Sequence, residues 1–273
     1  MSSETFPALT DWESTRKTLH LYSHAVGVIP RTHAEFHPKW WHISLNVQPD
    51  GLATDEMALP GGGTFSLKIN LRNHNIVLST SRGEEQTFSL AAGTTATALG
   101  DQIISAVADL GLSGDYAREK FENDEPRQYD PAQAETFLQA LVLADGILKE
   151  HRQGLSGEVS PVQLWPHGFD LAFEWYGTRV ETYEHEGEMQ EYPSQINFGF
   201  YPAEPAYFYS NPWPFEEDKL VDNPLPGGAN WHLEGWQGTI LHYADLVGDA
   251  SARQRLLAYF GEVYRLAAPT LLV

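Results

Sequence analysis

The chain has 273 residues, 42% of them hydrophobic, enough to bury a full core as one large domain or two modest ones. It contains no cysteine, which excludes a disulfide scaffold, a zinc ribbon, a thiolate nucleophile and a cysteine-ligated iron–sulfur cluster. Seventeen basic against 37 acidic side chains give a formal charge of −20, which repels nucleic-acid backbones and anionic membranes, so neither is expected as a partner.

Met1 to Pro7 carry neither the basic nor the apolar region of a secretory signal, and no stretch approaches the roughly 20 apolar residues that span a bilayer. The expectation is a soluble cytoplasmic protein. Thr10-Asp11-Trp12-Glu13 has the form of a capping box, and Trp12, Thr15, Leu19, Tyr22 and Val26 follow at helical spacing. This predicts an amphipathic helix that ends near Gly27, with Pro30 blocking extension. Strand-like runs follow at Trp41 to Val47, Thr64 to Leu71, Ile76 to Thr80 and Thr87 to Leu90, with turn chemistry at Pro49-Asp50-Gly51, Gly61-Gly62-Gly63, Arg72 to Asn75 and Arg82-Gly83. An antiparallel meander fits them better than parallel βαβ units. A second helix fits Thr95 to Leu110, stopped by Gly111.

An acidic connector, Gly114 to Asp130, leads to Asp130-Pro131, a strong helix start because Asp can cap while Pro fits the first turn. Phe137, Leu138, Leu141, Val142 and Leu148 give that helix a buried face. Pro161 to Tyr176, Gln195 to Tyr201 and Ala206 to Tyr209 read as strands. The run Glu181, Glu184, Glu186, Glu188 and Glu191 reads as a solvated loop, and Asp249 as the cap of a terminal helix through Tyr264 that stops before Pro269. The fold class is therefore α+β, antiparallel sheets with flanking helices. Helix, strands, helix occurs twice, in residues 1–125 and 126–273, and either internal duplication or two unrelated α+β halves accounts for it.

The run Ser160-Pro161-Val162-Gln163-Leu164-Trp165-Pro166-His167-Gly168-Phe169-Asp170, with Trp40-Trp41-His42 upstream, resembles an uncharacterised bacterial family known only as a domain of unknown function. The resemblance extends over nearly the whole chain, including the Asp130-Pro131 helix and Lys149 to Arg152. It implies no reaction, cofactor or catalytic residue. Members with Phe-Trp-Gly-Ser in place of Trp165-Pro166-His167-Gly168 keep the Phe-Asp-Leu-Ala that follows, so the resemblance favours Asp170 over His167 as a family-wide polar position.

Trp41-His42 and Trp165-Pro166-His167 each open a strand-like run after a helix, so their indoles could frame one site. The strand Phe169 to Tyr176 sends Asp170, Glu174 and Tyr176 to one face, with the two carboxylates roughly 13 Å apart at the backbone, too far for a tight dyad. Asp170 beside His42 or His167 could orient an imidazole for general-base work. Tyr207 and Trp213 belong to an aromatic, proline-stiffened stretch suited to sugars, planar ligands or protein partners, and Glu204, between Pro202 and Pro205, could project from it. His20 and His24 are four apart on the first helix but lie away from its apolar stripe, which predicts solvated side chains, and no metal site is assigned. Phosphate-cradling glycines before a helix and a Gly-x-Ser-x-Gly elbow are both missing, and no cofactor is identified. The reading is a small-molecule-binding protein, acid–base enzyme included, with an aromatic-walled site between the halves. In that reading Asp170, His167, His42 and Glu204 carry any catalysis, and Trp41, Trp165, Tyr176, Tyr207 and Trp213 bind the ligand. The alternative is a noncatalytic interaction or structural protein.

Overall fold

Local signals set most of the helices. Thr95 caps the helix Ala96–Asp109 by accepting from the Ala98 amide at 3.1 Å, and Gly111, at φ +83°, ends the segment. Asp130 caps the helix Pro131–Gln153 through amides of Ala132 (2.8 Å) and Gln133 (3.3 Å), with Pro131 in the first turn. The computed structural model describes residues 5–185 and 187–273; Met1 to Glu4, and Glu186 of the acidic run, lie outside the described residues. In chain order the elements are α1 (Glu13–His33), β1 (Asn46–Gln48), β2 (Gly51–Ala53), β3 (Met57–Ala58), β4 (Thr64–Asn70), β5 (Asn75–Thr80), β6 (Glu85–Ser89), α2 (Ala96–Asp109) and α3 (Pro131–Gln153). There follow β7 (Glu158–Val159), β8 (Gln163–Trp165), β9 (Asp170–His185), β10 (Glu188–Tyr201), β11 (Tyr207–Trp213), α4 (Glu217–Leu220), β12 (Asn230–His232), β13 (Gly238–His242) and α5 (Ala252–Ala267). The class is α+β with antiparallel sheets. Among the described residues no helix is long and apolar enough to cross a membrane.

The chain divides into two compact units. The first holds residues 7–142 and 163–170, the second Thr5 and Phe6, 143–162 and 171–273. In the first unit an antiparallel sheet runs β1-β2-β4-β5-β6, with β3 on β4. Burial alternates along β4, so that Phe65, Leu67 and Ile69 point inward with Ile76, Leu78 and Phe88 of the neighbouring strands. Leu99, Ile103 and Val107 of α2 and Leu19, Tyr22, Val26 and Ile29 of α1 complete that interior. Buried hydroxyls pin α1 in place: Tyr22 donates to the Thr94 carbonyl at 2.6 Å and Thr18 to the Gln128 carbonyl at 2.6 Å.

In the second unit the sheet order is β12-β13-β11-β10-β9-β7, all antiparallel. Phe173, Phe198, Phe200 and Phe208 share an interior with Leu256, Tyr259, Phe260 and Val263 of α5. His151 of α3 is enclosed there, with ring centroids 4.7 Å from Phe198, 5.5 Å from Phe260 and 6.0 Å from Phe173.

Five local expectations need correction. The first helix continues through Pro30 to His33, because a proline in the last turn removes one hydrogen bond while its carbonyl still accepts from Ala34 at 2.9 Å. Its start carries no side-chain cap, since Glu13 pairs bidentately with Arg16 at 2.7 and 2.8 Å. Trp41 to Val47 is not one strand: Trp41–Ile43 form a 3₁₀ turn, closed by Ser44 Oγ donating to the Trp41 carbonyl at 2.7 Å. The strand read through Pro161 to Tyr176 breaks at 166–169, where Phe169 adopts φ +54° and its amide donates to the Trp165 carbonyl at 2.8 Å. The described part of the acidic run is no loop either, since Glu181 and Glu184 lie on β9 and Glu188 and Glu191 on β10, two antiparallel strands paired with each other.

Candidate functional site

The break at 166–169 builds a cleft in the first unit. Phe169, in a backbone region that costs a non-glycine residue about 1–3 kcal/mol, buries its ring completely. That ring stacks between Phe137 (5.7 Å) and His20 (5.5 Å), and His20 in turn stacks on His24 at 4.9 Å. His20 Nε2–H donates to the carbonyl of His167 at 3.3 Å, which fixes the proton on that nitrogen. Pro166 lies against Gly27 of α1 so closely that a Cβ there would meet its Cγ at 3.2 Å. Gly27 is thus a point of close approach rather than a helix stop.

His24, Gly27, Val28 and Arg31 of α1, Ile43 of the 3₁₀ turn, Lys120, Pro166 and His167 line the cleft, whose volume is about 40 Å³. That is room for about three waters or one small oxyanion, and too little for a whole organic metabolite. Neither Arg31 nor Lys120 forms an ion pair among the described residues. Burial, then His20, Lys120 and His167, push the His24 imidazole down to about 4, and burial holds His20 below its ordinary value. Every group that acts on His24 is a base. In a chain of charge −20, the described lining of this cleft carries Arg31 and Lys120 and no carboxylate.

His20 and His24, expected to be solvated, are half-buried and belong to this arrangement. They lie off the apolar stripe of α1 and are covered instead by the Phe169 ring and the 166–169 turn. His20, His24, Gly27 and Arg31, spaced four, three and four, form a second stripe on the same helix, which was legible as a pattern but not as a face. Lys120 carries no sequence signal that would have singled it out.

His167 is on the cleft rim, exposed, with Trp165 5.8 Å away edge-on. His42 is buried, and its Nδ1 accepts from the His37 amide at 3.2 Å. Trp41 stacks on His37 at 4.2 Å and 14°, and its buried indole N–H has no hydrogen-bond partner among the described residues. Asp170 closes the 163–170 segment, where its Oδ1 would lie 2.4 Å from a Cβ on Gly168.

The remaining predicted residues belong to the second unit. Tyr176 and Trp213 flank Gln195 in one cross-strand row. Tyr207 is six residues from Trp213 on β11, roughly 20 Å along the strand, in a different aromatic cluster with Tyr201 (5.3 Å) and Tyr209 (6.2 Å). Trp213 instead meets Tyr183 and Tyr192 at 6.2 and 6.5 Å. Those two aromatics therefore do not wall one small pocket. Glu204 is exposed on the β10–β11 loop. Among the described residues no three His, Asp or Glu side chains group to hold a metal ion. The model of a family of unknown function, DUF5996, matches residues 6–271. No curated protein and no solved structure matches the chain.

Proposed function

The chain belongs to that family, and since membership brings no activity with it, we propose from the geometry that the protein binds a small anionic molecule in the His24–Arg31–Lys120–His167 cleft. One observation carries this reading: two cations that form no ion pair among the described residues converge with the His24 imidazole in a concavity of a strongly acidic chain. An incoming carboxylate or phosphate relieves mutual repulsion and accepts charge-assisted hydrogen bonds. The −20 charge also supports the wider reading of a cytoplasmic small-molecule binder that does not engage nucleic acid. The cleft is assigned binding rather than turnover. A base near pKa 4 is poorly matched to proton abstraction at neutral pH, where an effective general base titrates close to the operating pH.

Thermal denaturation in phosphate, in acetate and in chloride at matched ionic strength tests the proposal. Binding stabilises by about 2.7 kcal/mol at a hundredfold excess over Kd, against little from screening alone. The anion-specific gain should vanish in an Arg31→Gln, Lys120→Met double variant. Equal stability in all three salts, or an unchanged gain in the variant, overturns the assignment.

A further inference from the structure

The cleft is too small for more than an anionic head, so the rest of its ligand must lie across the neighbouring surface. Arg31 leads there: its guanidinium carbon stands 4.7 Å from the centre of the Trp40 ring. Trp40 is 43% exposed, and Phe36 beside it, edge-on at 5.5 Å and 85°, is 63% exposed. His42 supports both from within, stacked on Trp40 at 5.5 Å and edge-on to Phe36 at 5.5 Å. Trp40 is also strained, at φ +60° at the head of the 3₁₀ turn. The left-handed backbone at Trp40 thus displays its indole next to Arg31, which forms no ion pair among the described residues.

We propose that the ligand is a flat aromatic ring carrying an anionic group, the anion held by Arg31, Lys120 and His24 and the ring lying on Phe36 and Trp40. This rests on the anion-binding reading above. A phosphorylated nucleoside and an aromatic carboxylate share this chemistry, and paired probes separate them: adenosine monophosphate against ribose 5-phosphate, and benzoate against acetate. Calorimetric titration of the full chain should show the aromatic member of one pair binding about tenfold more tightly than its partner. Which pair shows the preference identifies the anion. Phe36→Ala and Trp40→Gly, the latter chosen because glycine accepts the left-handed backbone, should erase that preference while leaving the non-aromatic probe's affinity unchanged. Equal affinities within both pairs, or variants that weaken both members alike, overturn the aromatic assignment while leaving the anion cleft standing. If none of the four probes binds wild type more tightly than the Arg31→Gln, Lys120→Met variant, the cleft reading itself falls.

Discussion

His151 offers the sharpest test of the packing described for the second unit. It is 8% exposed, three phenyl rings surround it, and its Nε2 has no hydrogen-bond partner among the described residues. Burial alone drives its pKa down to about 4. A base whose folded pKa is depressed contributes stability that is complete above its unfolded pKa, about 6.5, and is lost as pH falls toward 4. Between pH 7 and pH 5 the unfolded chain takes up a proton at this site that the folded chain refuses, which costs about 2 kcal/mol of stability. His24, also near 4, pulls in the same direction, so wild type alone cannot isolate the effect. The comparison is therefore with His151→Leu, which leaves no titrating group and no unpaired ring nitrogen. Urea denaturation at both pH values should show wild type losing about 2 kcal/mol more than the variant. Identical losses would mean that the imidazole is hydrated or paired in solution, and that the aromatic enclosure is wrong.

Three further outcomes follow from particular contacts. Gly100→Ala places a methyl 2.2 Å from Cε2 of the fully buried Phe121, so it should destabilise by about 1–3 kcal/mol; an unchanged melting temperature would refute that packing. Thr95→Ala removes the cap of α2 and should cost about 1 kcal/mol in denaturant titration, with Thr95→Ser restoring most of it. Phe169→Ala empties the space between Phe137 and His20 and should cost about 3–5 kcal/mol, together with the phosphate-dependent stabilisation, because the turn that presents His167 loses its anchor. Retention of that stabilisation in the purified variant would show that the ring does not hold the cleft.

The fold was legible where the determinants are local. Asp130-Pro131, Thr95, Gly111 and the glycine run at 61–63 act through their own backbone neighbourhood, and all four did what their chemistry dictates. Expectations failed where a partner distant in sequence decides. Trp41, Ile43, Leu45 and Val47 alternate like a strand, yet only Leu45 finds a partner before Asn46, in a bridge to Leu164 over a hundred residues away. The acidic stretch lacks strand composition, and its β structure comes from cross-strand pairing within the β9–β10 hairpin. The cleft was legible in part. His167 was named from its place beside Trp165, whereas Arg31 and Lys120 acquire meaning only once the turn at 166–169 brings His167 and Pro166 up to α1.

The chain's route has a consequence for biosynthesis. The first unit is not finished when residue 142 leaves the ribosome, because Gln163 to Asp170 still has to come back to it, bringing the Leu164 pairing with Leu45 and the Phe169 ring. Nascent helix α1 must therefore wait, with its Gly27 flank unshielded, through the emergence of twenty residues that belong to the other unit. Severing the gene at that point would yield an amino-terminal fragment deprived of its own closing segment, and a carboxy-terminal one burdened with it.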